Sequence, residues 1–437
     1  MARSSCSASM KRAAELINRT KFLPRRMCHP LASTETDTNE SFLSSLKSGS
    51  WVKFISGASN QDLPLIRNMC YLYTLAEVDC IDLSADPAVV MVATEGISTA
   101  MSHRSDSKFQ RPLVMISVND DDDPHFRKAS FDVNKCPPTC PRPCEKVCPA
   151  WAIPPLSPLS GKQNTSPEAG YNSIAGVLAE KCYGCGRCVP ICPLNLIDTT
   201  SYTVDRSLIR NLLSSGTVDA IEIHTLEHHE NFFADLWNTI GDEVLLNSKV
   251  ISISFPNMGE KTVPYLRELQ SIISSRKSWD DFAGVQIWQS DGRPMSGDIG
   301  RGTVHKSSNL ASYVLGVFKE ESAVQTSWKT NEHDDQSELH SNEQSDQRRD
   351  IDIHGGKHFI QLAGGTNNYS AQTASKEGLL GSTGFGGFAF GGYARKAIGE
   401  LLYDLEEKHP GSYVENHAEV LANCFEVAKM LVSSVKS

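Results

Sequence analysis

A chain of 437 residues, 40% hydrophobic and 22% charged, has room for one large core carrying an insert, or for two or three ordinary domains. Its formal charge of -10 argues against a general affinity for nucleic acid or anionic lipid. No apolar run approaches the roughly 20 residues of a membrane span, so no transmembrane segment is expected and partners have to be argued from sites.

Residues 1–40 are rich in Arg, Lys and Ser, carry Glu15 as the only acid before Glu35 and lack the apolar stretch of a secretory signal. That composition suits an organellar transit peptide, with a disordered basic tail as the plainer alternative. Without a secretory signal the thirteen cysteines are not expected to form a disulfide framework.

From residue 50 onward, short apolar runs alternate with stretches of helical period. The strand candidates are 50–60, 78–84, 112–119, 218–224, 249–257, 284–292 and 358–367, with 384–392 as an eighth. Between most of them lie segments such as "LPLIRNMCYLYTLAE" and "VPYLRELQSIISSR", whose apolar residues recur at three and four. Continuous apolar strands separated by helices imply a buried parallel sheet. The predicted fold is an α/β, TIM-barrel-like (β/α)8 parallel barrel, with an open doubly wound sheet as the fallback. Two stretches break the rhythm. Residues 132–198 are proline-rich and hold eight of the thirteen cysteines, and 320–356 includes a tract almost without apolar residues, which predicts a disordered acidic loop. The last stretch, "ENHAEVLANCFEVAKMLVSSV", has a helical stripe that suits packing on the outside.

The cysteines carry the strongest chemical signal. Cys182, Cys185, Cys188 and Cys192 follow C-x2-C-x2-C-x3-C-P, the spacing with which bacterial-type ferredoxins hold cubane clusters. Three closely spaced thiolates wrap one cubane, while Gly184 and Gly186 let backbone amides approach its sulfides. In that pattern the fourth cysteine serves a second cluster, and a partner motif is present: Cys136, Cys140, Cys144 and Cys148 form C-x3-C-x3-C-x3-C-P. Crossed ligation assigns Cys136, Cys140, Cys144 and Cys192 to one cluster and Cys148, Cys182, Cys185 and Cys188 to the other. The cofactors expected are two 4Fe-4S clusters, the one at the widened first motif being a 4Fe-4S or a 3Fe-4S centre. Structural zinc and disulfides fit these compact, Cys-Pro-ended quartets less well, and the C-x3-C-x2-C hook of radical chemistry is missing. Cys6, Cys28, Cys70, Cys80 and Cys424 read as leader or core residues.

The organisation that follows is a leader (1–40), a first barrel segment (50–131), a two-cluster ferredoxin-type insert (132–198), a second barrel segment (199–319), the acidic loop (320–356) and the end of the barrel with C-terminal helices (357–437). Barrel function belongs at the C-terminal strand ends, and these are polar: Ser56, Asn60, Asp82, Ser84, Ser117, Asn119, Glu222, His224, Asn257, Gln289 and Asp291. A small-molecule ligand at the barrel mouth is therefore an open expectation. The glycine turns around Gly364 and Gly365, and around Gly386 and Gly387, fall where barrels bind phosphate; with Arg395 and Lys396 just beyond, they resemble the phosphate end of an FMN site, and tight turns without a ligand are an equal reading. The run of Glu222, His224, Glu227, His228, His229 and Glu230 reads as strand-end and helix-start charge, and Asp120 to Asp123 as a solvated loop. The segment 290–302 reads as a surface loop.

The block "WVKFISGASNQDLPLIRNMCYLYTLAEVDCIDLSADPAVV", the paired motifs "CPPTCPRPCEKVCP" and "CYGCGRCVPICP", and the late "FIQLAGGTNNYS" to "GFGGFAFGGYARK" block together resemble the LdpA family of iron–sulfur proteins. The resemblance covers nearly all of the chain after the leader. It implies a protein that links redox state to the circadian clock in cyanobacteria, with relatives in plastids; the leader and the acidic insertion fit a plant-type homologue imported into the chloroplast. The expected function is a chloroplast redox sensor or relay, exchanging electrons with redox partner proteins or a quinone/ferredoxin pool. The alternative is a flavin-dependent oxidoreductase fed by the clusters, and the minimal reading is that the clusters only staple the insert to the barrel.

Overall fold

The computed structural model describes residues 42–104, 109–155, 176–292, 300–331 and 351–436. The leader, Cys6 and Cys28, residues 332–350 and the centre of the 290–302 segment lie outside the described residues.

Eight strands close into a parallel barrel, as the sequence predicts. In chain order they are β1 (Trp51–Ile55), β2 (Cys80–Ser84), β3 (Leu113–Asn119), β6 (Ala220–His224), β7 (Val250–Phe255), β8 (Val285–Ser290), β9 (His358–Leu362) and β10 (Phe385–Phe390); β4 (Arg127–Ser130) and β5 (Asp198–Ser201) form a separate antiparallel pair. Around the barrel the order is β1-β10-β9-β8-β7-β6-β3-β2, and closure excludes the open-sheet fallback. Helices follow the strands with ordinary caps: Asp62 accepts the Leu65 N–H at 3.3 Å ahead of Leu63–Leu75, and Asp86 accepts the Ala88 N–H at 2.8 Å ahead of Pro87–Ser102, both with proline in the first turn. Among the described residues no helix is long and apolar enough to cross a membrane.

Alternation along each strand splits the side chains between two environments. Outward residues such as Val52, Phe54, Ile81, Ile116, Ile221 and Ile253 pack under the helices in the main core. Inward residues at the starts of the strands, Trp51, Leu113, Ala220, Val250 and Val285, form a second apolar cluster. A short helix over 42–47, which the sequence reading does not anticipate, closes this end with Phe42 and Leu46. Further along the same inward rows the residues become polar: Lys53, Asp82, Ser117, Glu222, Ser252, Gln289 and Gln361 are all buried. The barrel is thus apolar inside at its N-terminal end and polar inside toward its C-terminal end.

The β4–β5 pair, Arg127–Ser130 against Asp198–Ser201, brackets the expected insert of 132–198 at its root. The segment expected to be disordered is shorter at both ends. The helix His305–Asn331 continues twelve residues into the segment expected to be disordered from 320. At its other end Ile351 and Ile353 are buried in the main core, because the chain there already packs beneath the barrel helices. The C-terminal helix Ala418–Lys436 lies on the outside, with Cys424, Phe425, Leu431 and Val432 buried.

Candidate functional site: the cysteine insert and the barrel mouth

In the insert the last cysteine of each motif lies within electrostatic reach of the other motif. Cys188 lies within electrostatic reach of Cys185, Cys182 and Cys148, and Cys185 of Cys148 and Cys182; burial is the leading influence and pushes the Cys188 thiol up to about 12. Cys144 feels Cys192, and Cys136 feels Cys140 and Cys144. The two motifs also share a local geometry that their unequal spacing hides. Three residues after each last cysteine, Trp151 and Asn195 both adopt φ of 50°. One residue further on, Ala152 N–H donates to Cys148 Sγ at 3.3 Å and Leu196 N–H to Cys192 Sγ at 3.4 Å. Ala129 N–H likewise donates to Cys182 Sγ at 3.4 Å. Backbone N–H groups aimed at sulfur favour thiolates, and the described cysteines are all free. The donor set, eight free thiols with backbone amides aimed at three of them, therefore fits iron–sulfur ligation.

Gly184 and Gly186, with φ of 73° and 72°, have a second reason to be glycine. A Cβ on Gly184 would come within 2.5 Å of the Arg127 carbonyl, and one on Gly186 within 2.4 Å of the Arg127 guanidinium. Arg127 Nε donates to the Gly184 carbonyl at 2.9 Å, and Lys128 Nζ bonds the carbonyls of Ser59, Ala179 (2.7 Å) and Cys182 (2.8 Å). The motif is thereby clamped to the C-terminal end of the barrel. Arg395 completes the seat, its guanidinium 4.2 Å from the Tyr183 ring centroid while Nη1 donates to Ile55 O at 2.9 Å; Trp151 stacks on Tyr403 at 4.7 Å.

Beneath the insert, the barrel mouth gathers charge. Lys53 Nζ contacts Glu222 Oε2, whose carboxylate also accepts from Ser252 Oγ at 3.0 Å and from Gln289 Nε2 at 2.7 Å; His224 Nε2 lies 3.2 Å from Glu222 Oε1. Burial works against charge on both partners. Glu222 and Asp82 nevertheless raise the Lys53 pKa, and Lys53 and His224 hold Glu222 well below the usual carboxylate range. His224 is pushed up to about 9, burial being outweighed by the bond to Glu222 and by Asp123 and Asp291. Asp82 goes the other way: burial and the neighbouring Glu222 push it up to about 7, although Ser117 Oγ donates to its Oδ1 at 2.8 Å. Two carboxyl groups whose environments separate their proton affinities are chemically competent as an acid–base pair.

Family comparison accounts for both regions. Residues 136–203 match the "LdpA Fe-S cluster-binding domain", and residues 212–355 and 346–434 match the "Light dependent period A C-terminal domain". "Light dependent period A" from Synechococcus elongatus is 36% identical over 398 residues, covering 90% of this chain and 93% of the cyanobacterial protein. The chain belongs to the LdpA family. Its insert is the family's iron–sulfur cluster-binding domain, and the barrel's second half is the family's C-terminal domain.

Within this LdpA fold some expectations separate. Of the polar strand ends, Asp82, Ser117, Asn119, Glu222, His224 and Gln289 are buried, whereas Asn257 is exposed. The run from Glu222 to Glu230 is not uniform charge. Glu222 and His224 point inward, while Glu227 and His228 are exposed and His229 bonds Asp120 at 2.8 Å. Asp120 and Asp123 are 3% and 2% exposed, so the expected solvated loop is in fact partly the rim of the mouth. The four glycines also divide. Gly364 and Gly365 lie beyond β9, where a Cβ would come within 1.7 Å of the Asp291 carbonyl and 2.6 Å of the Thr303 carbonyl, so close chain passage accounts for them. Gly387 pairs with Trp51 at the opposite end of the barrel, and a Cβ on Gly386 would approach Phe359 and Leu46 at 3.0 and 3.1 Å; neither reaches the mouth. Lys53 escaped the sequence reading altogether. Its signal was parity: it shares the inward row with Trp51, between the outward Val52 and Phe54.

Proposed function

We propose that this LdpA homologue is a chloroplast redox sensor or relay with two ferredoxin-type clusters, one held by Cys136, Cys140, Cys144 and Cys192 and the other by Cys148, Cys182, Cys185 and Cys188. When bound, such clusters supply one-electron exchange. The observation that carries the reading is the exchange of last cysteines, which brings Cys148 beside the second motif and Cys192 beside the first. The name of the cyanobacterial relative points to light-dependent timing, and the basic leader supports import.

The chain's own residues provide the route by which a change at the insert reaches the barrel. Tyr183 sits between two cluster cysteines and stacks on Arg395, which in turn holds the end of β1 through Ile55. A change in charge at the second quartet acts directly on that cation, and through it on the barrel rim where a redox partner protein, or a member of the quinone/ferredoxin pool, would read it. The test is an optical spectrum of anaerobically purified protein with iron, sulfide and flavin quantified, before and after dithionite. Broad absorption near ~400 nm that bleaches, with iron and sulfide and without flavin, is the expected result. Stoichiometric FMN alongside the clusters would favour the oxidoreductase reading, and absence of sulfide would remove both.

A further inference from the structure

The inward rows of the barrel explain its closure only halfway up. A barrel filled for stability alone carries branched apolar residues through all its layers. Here the upper layers hold four carboxyl groups, Asp82, Asp123, Glu222 and Asp291, gathered around Lys53 and two imidazoles. Burying that many ionisable groups is costly unless they are paired or hold a ligand.

The rim places the ligand atoms for a cation. Asp123 and His125 come from the loop after β3, and His224 from the last position of β6. One ligand atom from each lies within 4.8 Å of the others, and the imidazoles of His125 and His224 are 4.8 Å apart between centroids. The supporting contacts are those of a metal's outer shell. His224 Nε2 faces Glu222, which is itself fixed by Lys53, Ser252 and Gln289, leaving Nδ1 for coordination. Asp123 Oδ1 lies 2.8 Å from His125 Nδ1, leaving Nε2 and the second carboxylate oxygen. Asp291 lies within electrostatic reach of both imidazoles and is oriented by Ser254 Oγ at 2.5 Å. A carboxylate behind a histidine is the usual second-shell partner of a metal-bound imidazole.

We propose that Asp123, His125 and His224, assisted by Asp291, bind a divalent first-row transition ion at the barrel mouth, separate from the iron–sulfur clusters. Two imidazoles with carboxylates suit iron(II), zinc, manganese or cobalt, and select against calcium and magnesium, which prefer all-oxygen shells. The site is built into the insert's own root, since His125 is two residues from Arg127, which bonds the Gly184 carbonyl inside the second cysteine motif. In the polar interior of the barrel Gln289 Oε1 and Asp82 Oδ2 have no hydrogen-bond partner among the described residues; the ligand class that fits there is small and oxygen-bearing.

The test uses cluster-loaded full-length protein, with manganese, iron, cobalt, nickel, zinc and sulfide all quantified, and cobalt(II) added to samples dialysed against a mild chelator. The expected result is about one equivalent of metal beyond what sulfide accounts for, or the uptake of about one cobalt with visible ligand-field bands. Both signals should be lost in His125→Ala and in Asp123→Asn while cluster absorption is retained. No extra metal together with no cobalt uptake overturns the proposal, as does unchanged uptake in both variants. Loss of the extra metal only in cysteine variants would place it at the thiols and overturn it equally. Cluster absorption is read independently, so failure here leaves the iron–sulfur reading untouched.

Discussion

The barrel and the insert are held together by different physics. The barrel buries three tryptophans, Trp51, Trp237 and Trp288, and dozens of branched residues, each worth about 2–3 kcal/mol of removed apolar surface. The insert's cluster of buried side chains is small, and Cys144, Cys182 and Cys188 are members of it. Where thiols stand in for apolar residues, the fold of the segment depends on what the thiols bind. The contrast predicts that order in the insert is conditional on its cofactor while order in the barrel is not.

The most forceful way to break the contrast is to strip the iron. The described residues of the insert, 132–155 and 176–198, should lose hydrogen-exchange protection completely while the barrel amides keep theirs, and collapse of both together would show the two regions to be a single cooperative unit. Next in size is the buried ion pair. Lys53→Met leaves the Glu222 carboxylate buried without its cation and should cost about 3–5 kcal/mol in denaturant unfolding, with much of this recovered on adding Glu222→Gln. A cost below about 1 kcal/mol for the single variant would mean the charges are solvated and the mouth is not dry.

A smaller effect sharpens the picture at the opposite end of the barrel. Burial lowers the His358 pKa to about 4, with Lys357 adding to it and Asp352 opposing. The unfolded chain, titrating near 6.5, then binds the extra proton first, so stability is full above about pH 6.5 and falls as pH drops toward 4. The loss should be roughly 3 kcal/mol and should vanish in His358→Gln. An unchanged acid slope in that variant would assign the loss to other groups. Smallest is the seat between the regions. Arg395→Ala removes the contact with Tyr183 and the bond to Ile55, and should loosen the insert by about 1 kcal/mol, seen as faster exchange at residues 182–186 with barrel changes confined to the end of β1.

Most of this architecture was legible beforehand, for identifiable reasons. All eight barrel strands announce themselves because parallel strands buried on both faces read as apolar runs, and the cysteine quartets because ligand spacing survives as spacing. What stayed hidden depends on which way a side chain points once the barrel closes. Lys53 looks like any lysine in "WVKFI" until parity with Trp51 is noticed. Glu222 and His224 are lost among the neighbouring charges of 227–230, and Asp123 among Asp120 to Asp123. Gly386 and Gly387 misled in the other direction, since close chain passage and phosphate binding ask for the same residue.

The measurement closest to the central claim is low-temperature electron paramagnetic resonance of reduced wild-type, Cys148→Ser and Cys192→Ser proteins. Crossed ligation expects two distinguishable clusters, with Cys148→Ser altering the signal that also responds to Cys185→Ser, and Cys192→Ser altering the signal that responds to Cys140→Ser. If Cys148→Ser and Cys140→Ser disturb the same cluster while the other stays intact, each motif serves its own cluster and the crossed arrangement is wrong.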